Sequence, residues 1–161
     1  MPSERIQKYL DRLEKARVRL DAVLDSVPAH LWDTRLYSDG AQWTLRQLLI
    51  HLMIADKGQN NVLKGVAEGK DVIPADYDLE RYNKRSVEKQ VEVTVADARA
   101  ALQTSRADLV NWLSSVDDSA LDKQGRHATL QILTLGQMLD VMAMHETAHT
   151  NDIERFVTEN K

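Results

Sequence analysis

The sequence predicts an all-α protein built as a four-helix bundle, and three observations predict it. Four stretches of roughly 22–25 residues carry apolar side chains at spacings of three and four. Three of the four open on a Thr with Gln or Asp three residues later, the pattern of a capped helix start. The 161 residues include only 6 Gly and 3 Pro, too few turn formers for a β sandwich or barrel.

The first helix is expected from about Ser3 to Val27, with its stripe on Ile6, Leu10, Leu13, Ala16, Leu20, Val23 and Val27. Pro28 then restricts the backbone of Val27 and stops it. The second runs from Thr44 to about Glu68, with Thr44 and Gln47 as a capping box and Gly69 as the stop. Leu45, Leu48, Leu49, Leu52 and Ala55 mark its buried face. The third runs from about Thr94 to Val116, with Asp97 in its first turn. Its stripe is Val95, Ala98, Leu102, Ser105, Leu109, Trp112 and Val116. The fourth runs from about Leu135 to Thr158 behind a Thr134–Gln137 capping box. At 1.5 Å per residue each would be about 33–37 Å long, which suits a bundle. The segment from Lys70 to Val93 is too long for a tight helical hairpin. A crossover along the bundle would leave the second and third helices parallel, with room for a short helix near Leu79–Gln90. No repeat, low-complexity tract or interdomain linker appears, so one domain over 1–161 is expected.

Composition removes several functions. With 43% apolar and 29% charged residues, the chain can bury a core and remain in solution. It has no cysteine, which excludes disulfides, thiolate metal sites and a cysteine nucleophile. A net charge of −4 offers no basic excess for nucleic acid. The N-terminal segment is charged from Ser3 and lacks an apolar h-region, and the longest near-apolar run, Leu48 to Ala55, is too short to span a bilayer. A cytoplasmic protein with no membrane partner is therefore expected.

The stripe of the fourth helix carries the chemical information. It passes from Met138 and Met142 to His145, His149, Asp152 and Phe156. Histidines four apart project from one face with Cβ atoms roughly 6 Å apart, within reach of one divalent ion. Imidazoles on an apolar stripe need partners for their nitrogens, and a metal supplies one to each. The segment His145-Glu146-Thr147-Ala148-His149 also satisfies HExxH, in which the Glu serves as general base and a third ligand comes from elsewhere. His51 is the candidate third ligand, flanked on its helix face by Leu48 and Ala55. Its level differs from that of the pair by about one turn whichever way the helices run, which permits convergence without establishing it. His30 and His127 lie in polar connections and are expected at the surface. Trp43 is expected as a packing anchor, Trp32 and Trp112 in the core or at its rim, Ser105 in packing, and Arg99 and Arg106 on a solvated face.

Trp43-Thr44, His51 early in the second helix and His145-x3-His149 near the end of the chain together resemble the DinB-like superfamily. These are damage-inducible bundle proteins related to bacterial metal-dependent thiol S-transferases, and the resemblance covers nearly the whole chain. It implies an up-down-down-up bundle with one divalent metal on His51, His145 and His149. Some relatives carry a carboxylate at one ligand position, whereas this chain has histidine at all three. Many carry Gln three residues after the last His; this chain has Asp152, so that Gln's role is not carried over.

Under the resemblance Glu146 is not a catalytic base; it either orients a ligand or faces another groove. Asp152 is left to orient His149, to bond a metal-bound water, or to cap the polar end of the stripe. Zn, Ni or Fe would suit three imidazoles, with at least one coordination position open. The implied chemistry is stress-related thiol transfer, in which the metal deprotonates a low-molecular-weight thiol cosubstrate that attacks a small-molecule electrophile. A metal-dependent hydrolase is the alternative, and a non-catalytic metal-binding stress-response bundle a third. A homodimer is expected from the resemblance alone.

Overall fold

A computed structural model of the chain describes residues 1–37 and 41–161. Among them are the helices α1 (Glu4–Asp25), α2 (Leu45–Ala67), α3 (Leu79–Glu88), α4 (Val95–Ser115) and α5 (Leu135–Glu159). The expected short helix in the crossover is α3. Two 3₁₀ turns, Ala29–Leu31 and Asp118–Asp122, occupy connections. A small antiparallel hairpin precedes α5, with β1 (Gln124–Arg126) paired to β2 (Ile132–Thr134). The sequence reading did not anticipate the hairpin, because strands of three residues carry too short an alternation to register.

Local chemistry sets the helix ends. Ser3 caps α1 through Ile6 N–H, and Thr44, Thr94 and Thr134 each form a reciprocal capping box with the third residue of the helix. At the far end of α2, Gly69 takes φ +75° and Lys70 N–H bonds back to Gly65 O at 2.9 Å. A left-handed residue is what such a helix exit requires, and glycine adopts it without Cβ strain.

Cross-helix pairs define the topology. Arg12 meets Asp140, Arg17 meets Glu146 and Arg19 meets Glu154, so α1 and α5 run parallel. The N-terminal half of α2 shares an apolar cluster with Ala98 and Leu102, and its C-terminal half shares another with Leu109 and Leu113, so α2 and α4 are also parallel. Ile153 and Phe156 near the end of α5 lie with Leu45–Leu52 at the start of α2, so those two are antiparallel. The order is up-down-down-up, and the α3 crossover is what permits it.

The two apolar clusters are separated by charge. Arg17, Asp56, Arg106 and Glu146, one from each long helix, sit at mid-bundle with relative exposures of 4–6%. Arg106 was expected on a solvated face; it lies inside because two carboxylates on neighbouring helices receive it there. The deepest line of α5 is likewise rotated from the expected stripe. It runs through Leu139, Met142, Glu146, Thr150 and Ile153, leaving His145, His149 and Asp152 on its half-buried flank. Among the described residues, no helix is long and apolar enough to cross a membrane.

Candidate metal centre

The capped start of α2 and the middle of α5 bring three imidazoles together. His51 is held among the buried residues Leu48, Leu49, Ile50 and Leu52 and is itself buried, while His145 and His149 reach it from the flank of α5. His145 Nε2 lies 3.2 Å from His51 Nε2 and 3.2 Å from His149 Nε2. One ligand atom from each of the three lies within 4.8 Å of the others. A tetrahedral ion at about 2.0–2.1 Å from each nitrogen would set neighbouring nitrogens about 3.3 Å apart. The donor set therefore fits a divalent ion.

Each ring is restrained by a different neighbour. The Trp43 ring lies over His51 with centroids 4.7 Å apart and planes 31° from parallel. Trp43 reaches that position because Leu36 N–H bonds to its carbonyl at 2.9 Å, tying the preceding connection to the helix start. His149 is fixed through Tyr37. The Tyr37 hydroxyl donates to Asp152 Oδ2 at 2.6 Å and lies 3.0 Å from His149 Nδ1. With its single proton directed at the carboxylate, the hydroxyl can only accept from Nδ1–H. His149 is then protonated on Nδ1, and its Nε2 lone pair faces the other two rings, the tautomer a metal ligand needs. Arg155 holds the other oxygen of Asp152 at 2.8 Å.

Burial keeps these rings neutral. It pushes His51 down to about 3 and His145 down to about 4, reinforced in each case by the neighbouring imidazoles. His149 is lowered by burial as well, opposed by the Asp152 carboxylate. A cavity of about 330 Å³ opens beside His51 and His145, bounded by α2, the crossover, the hairpin tip and α5.

The sequence model of the DinB superfamily matches residues 12–153. The chain belongs to the DinB superfamily. Among solved structures, YfiT from Bacillus subtilis has 21% identity and a TM-score of 0.80, over 99% of this chain and 89% of that one. It is described as a "probable metal-dependent hydrolase with an unusual four-helix bundle topology". An uncharacterised protein from Escherichia coli UTI89 has 17% identity and a TM-score of 0.76, over 96% of this chain and 94% of that one. At these identities the likeness establishes the shared fold. No curated protein sequence matches.

In this DinB-superfamily chain Glu146 faces away from the histidines. Its Oε1 accepts from Arg17 Nη2 at 2.7 Å, Arg17 Nε at 3.1 Å and Arg106 Nη2 at 3.2 Å. Its carboxylate thus lies in the buried charged layer with Arg17 and Arg106. Asp152 is linked to His149 through the Tyr37 hydroxyl rather than directly. Tyr37 itself was missed; it lies in a connection 112 residues from His149, and no spacing rule links the two. His30 is exposed as expected, whereas His127 is only 7% exposed and lines the cavity. The polar composition around His127 suggested a solvated loop, but the hairpin folds its tip inward against the bundle.

Proposed function

We propose that this DinB-superfamily protein is a divalent-metal enzyme with His51, His145 and His149 as ligands, and that it activates a small-molecule thiol for transfer to an electrophile. The observation that carries the reading is the meeting of three imidazole nitrogens from two antiparallel helices, with His145 Nε2 3.2 Å from each of the other two and all three within 4.8 Å of one another. When bound, a Zn, Ni or Fe ion supplies a positive charge that lowers the pKa of a thiol or water entering the position the protein leaves open.

The chain's own residues do the rest. Tyr37 and Asp152 hold His149 in its ligating tautomer, and Trp43 restrains His51. The largely apolar cavity beside His51 and His145 offers a substrate a water-poor approach. With no cysteine in the sequence, the thiol is a cosubstrate.

One observation favours thiol over water. In HExxH hydrolases the Glu takes the proton from water, but here that carboxylate is committed to Arg17 and Arg106. A thiol, with an ordinary pKa near 8.5 against 15.7 for water, needs no such base. Hydrolysis is the second reading, favoured by the description of the structural neighbour YfiT.

The test begins with the metal content of untagged protein, expected near one divalent ion per chain and strongly reduced by alanine at His51, His145 or His149. Cobalt-substituted protein then separates the two chemistries. A bacterial low-molecular-weight thiol should produce a saturable near-ultraviolet band that His149→Ala abolishes. A spectrum perturbed by a hydroxamate and by no thiol would transfer the assignment to hydrolysis. One perturbed by neither would indicate a closed, non-catalytic site.

A further inference from the structure

The tip of the β1–β2 hairpin presents His127 to the cavity. Its Nδ1 accepts from Thr129 backbone N–H at 3.2 Å and lies 2.9 Å from Thr129 Oγ1. An amide N–H can only donate, so that nitrogen carries no proton, and the neutral ring holds its proton on Nε2. Among the described residues, Nε2 has no protein partner, and it is not one of the atoms sealed without a partner. An N–H donor of fixed direction is thus offered to whatever fills the space.

The rest of the wall narrows what that is. Ile54, Val72, Ile73, Met138 and Val141 supply apolar surface, Gln59, Asn61 and Asn83 add neutral polar groups, and no Asp, Glu, Lys or Arg lines the cavity among the described residues. From the side chains alone, with no ion on the histidines, a charged ligand there would lose its hydration without gaining a counter-charge. The volume of about 330 Å³ is at the small end of organic-ligand pockets. His51 and His145 form one end of the same space.

We propose that the cavity binds a neutral, apolar small molecule carrying one hydrogen-bond acceptor, a carbonyl or equivalent oxygen, and that the Nε2–H of His127 holds that acceptor beside His145. This names the substrate class for the histidine site and rests on its reading as a metal enzyme, but the binding itself needs no ion. His127 is a specificity and positioning residue, adding a directed hydrogen bond from the hairpin side of a largely apolar, uncharged pocket.

The experiment uses acetophenone as the acceptor-bearing probe, ethylbenzene as its counterpart without an acceptor, and benzoate as the anionic one. Affinities are measured by NMR titration on metal-stripped and zinc-loaded protein, wild type and His127→Phe. The variant keeps a ring of similar bulk and loses the donor. Acetophenone should bind about tenfold more weakly to the variant, ethylbenzene equally to both, and benzoate to neither in the metal-stripped form. The infrared carbonyl band of bound ¹³C=O acetophenone should lie lower in wild type than in the variant, a difference a purely structural role would not produce. Unchanged acetophenone affinity in His127→Phe, preferential benzoate binding to metal-stripped protein, or no binding of either neutral probe to wild type would overturn the proposal. The metal-stripped arm separates the two readings. An acetophenone preference present only with zinc and indifferent to His127 overturns this inference and leaves the metal assignment standing. A His127-dependent preference in a protein that takes up no metal supports this inference and removes the metal assignment.

Discussion

Replacing Glu146 with alanine removes the acceptor of three guanidinium N–H bonds from a site where Arg17, Arg106 and Asp56 are 4–6% exposed. Two buried guanidinium groups then share one carboxylate, and Asp56 receives them at 3.2 and 3.3 Å. Breaking a buried ion pair from one side costs about 3–5 kcal/mol, because the surviving charge stays buried without its counter-ion. That is a large share of the roughly 5–15 kcal/mol by which a native domain is stable. For a chain of this length it corresponds to a fall in Tm of roughly 10–15 °C. Urea unfolding followed by circular dichroism should show a lower midpoint at unchanged slope. A charge-balanced double variant, Glu146→Leu with Arg17→Met, leaves the Asp56–Arg106 pair intact and should be markedly more stable than Glu146→Ala. The reasoning is refuted if Glu146→Ala unfolds within about 1 kcal/mol of wild type, the range of an ordinary surface position. A Glu146→Gln variant with full stability and no activity would also refute it, by restoring the motif's general-base role.

Tyr37→Phe should leave the fold intact and weaken divalent-ion binding by about 10–100-fold, because His149 loses the acceptor that sets its tautomer; chelator competition measures this, and unchanged affinity would exclude the relay. Metal-free protein should lose stability as pH falls. The unfolded histidines take up protons from about 6.5 downward, whereas the folded state resists until about 4 at His145 and about 3 at His51. The unfolded state therefore binds more protons across that window, and the stabilisation, complete above 6.5, drains away towards 3–4. Urea midpoints at several pH values should fall less steeply in His51→Phe than in wild type, and parallel curves would show that burial does not hold this ring neutral.

How much was legible in the sequence depended on how local each signal was. The Thr caps and the spacings of three and four are complete within a helix, and the long helices, their starts and the α3 crossover follow from them. The gathering of the histidines was partly local, since His145 and His149 share a helix turn and His51 had only to lie at a matching level. The charged layer was not legible, because Arg17, Asp56, Arg106 and Glu146 come from four different helices and each has solvated-looking neighbours in sequence. Spacing alone also placed the stripe of α5 on its histidine flank, since it could not say which of two adjoining faces is deeper. Tyr37 and His127 stand in connections, where position is set by tertiary contact and no periodicity exists to read.

The parallel pairing of the outer helices constrains how the protein can be made. Of the five helices α1 emerges first from the ribosome, yet most of the surface it packs on belongs to α5, the fifth of them in chain order. At about 5–20 residues per second, that leaves the leading helix without its mate for on the order of ten to thirty seconds. Through that interval Leu10, Leu13 and Leu20 of α1 lack the α5 residues of their apolar clusters, and His51 waits without either of its companions. Folding is thereby deferred until synthesis has passed the final turns of α5. A nascent chain stalled before residue 145 would expose an apolar seam to chaperones and would have only one of the three histidines with which to capture an ion.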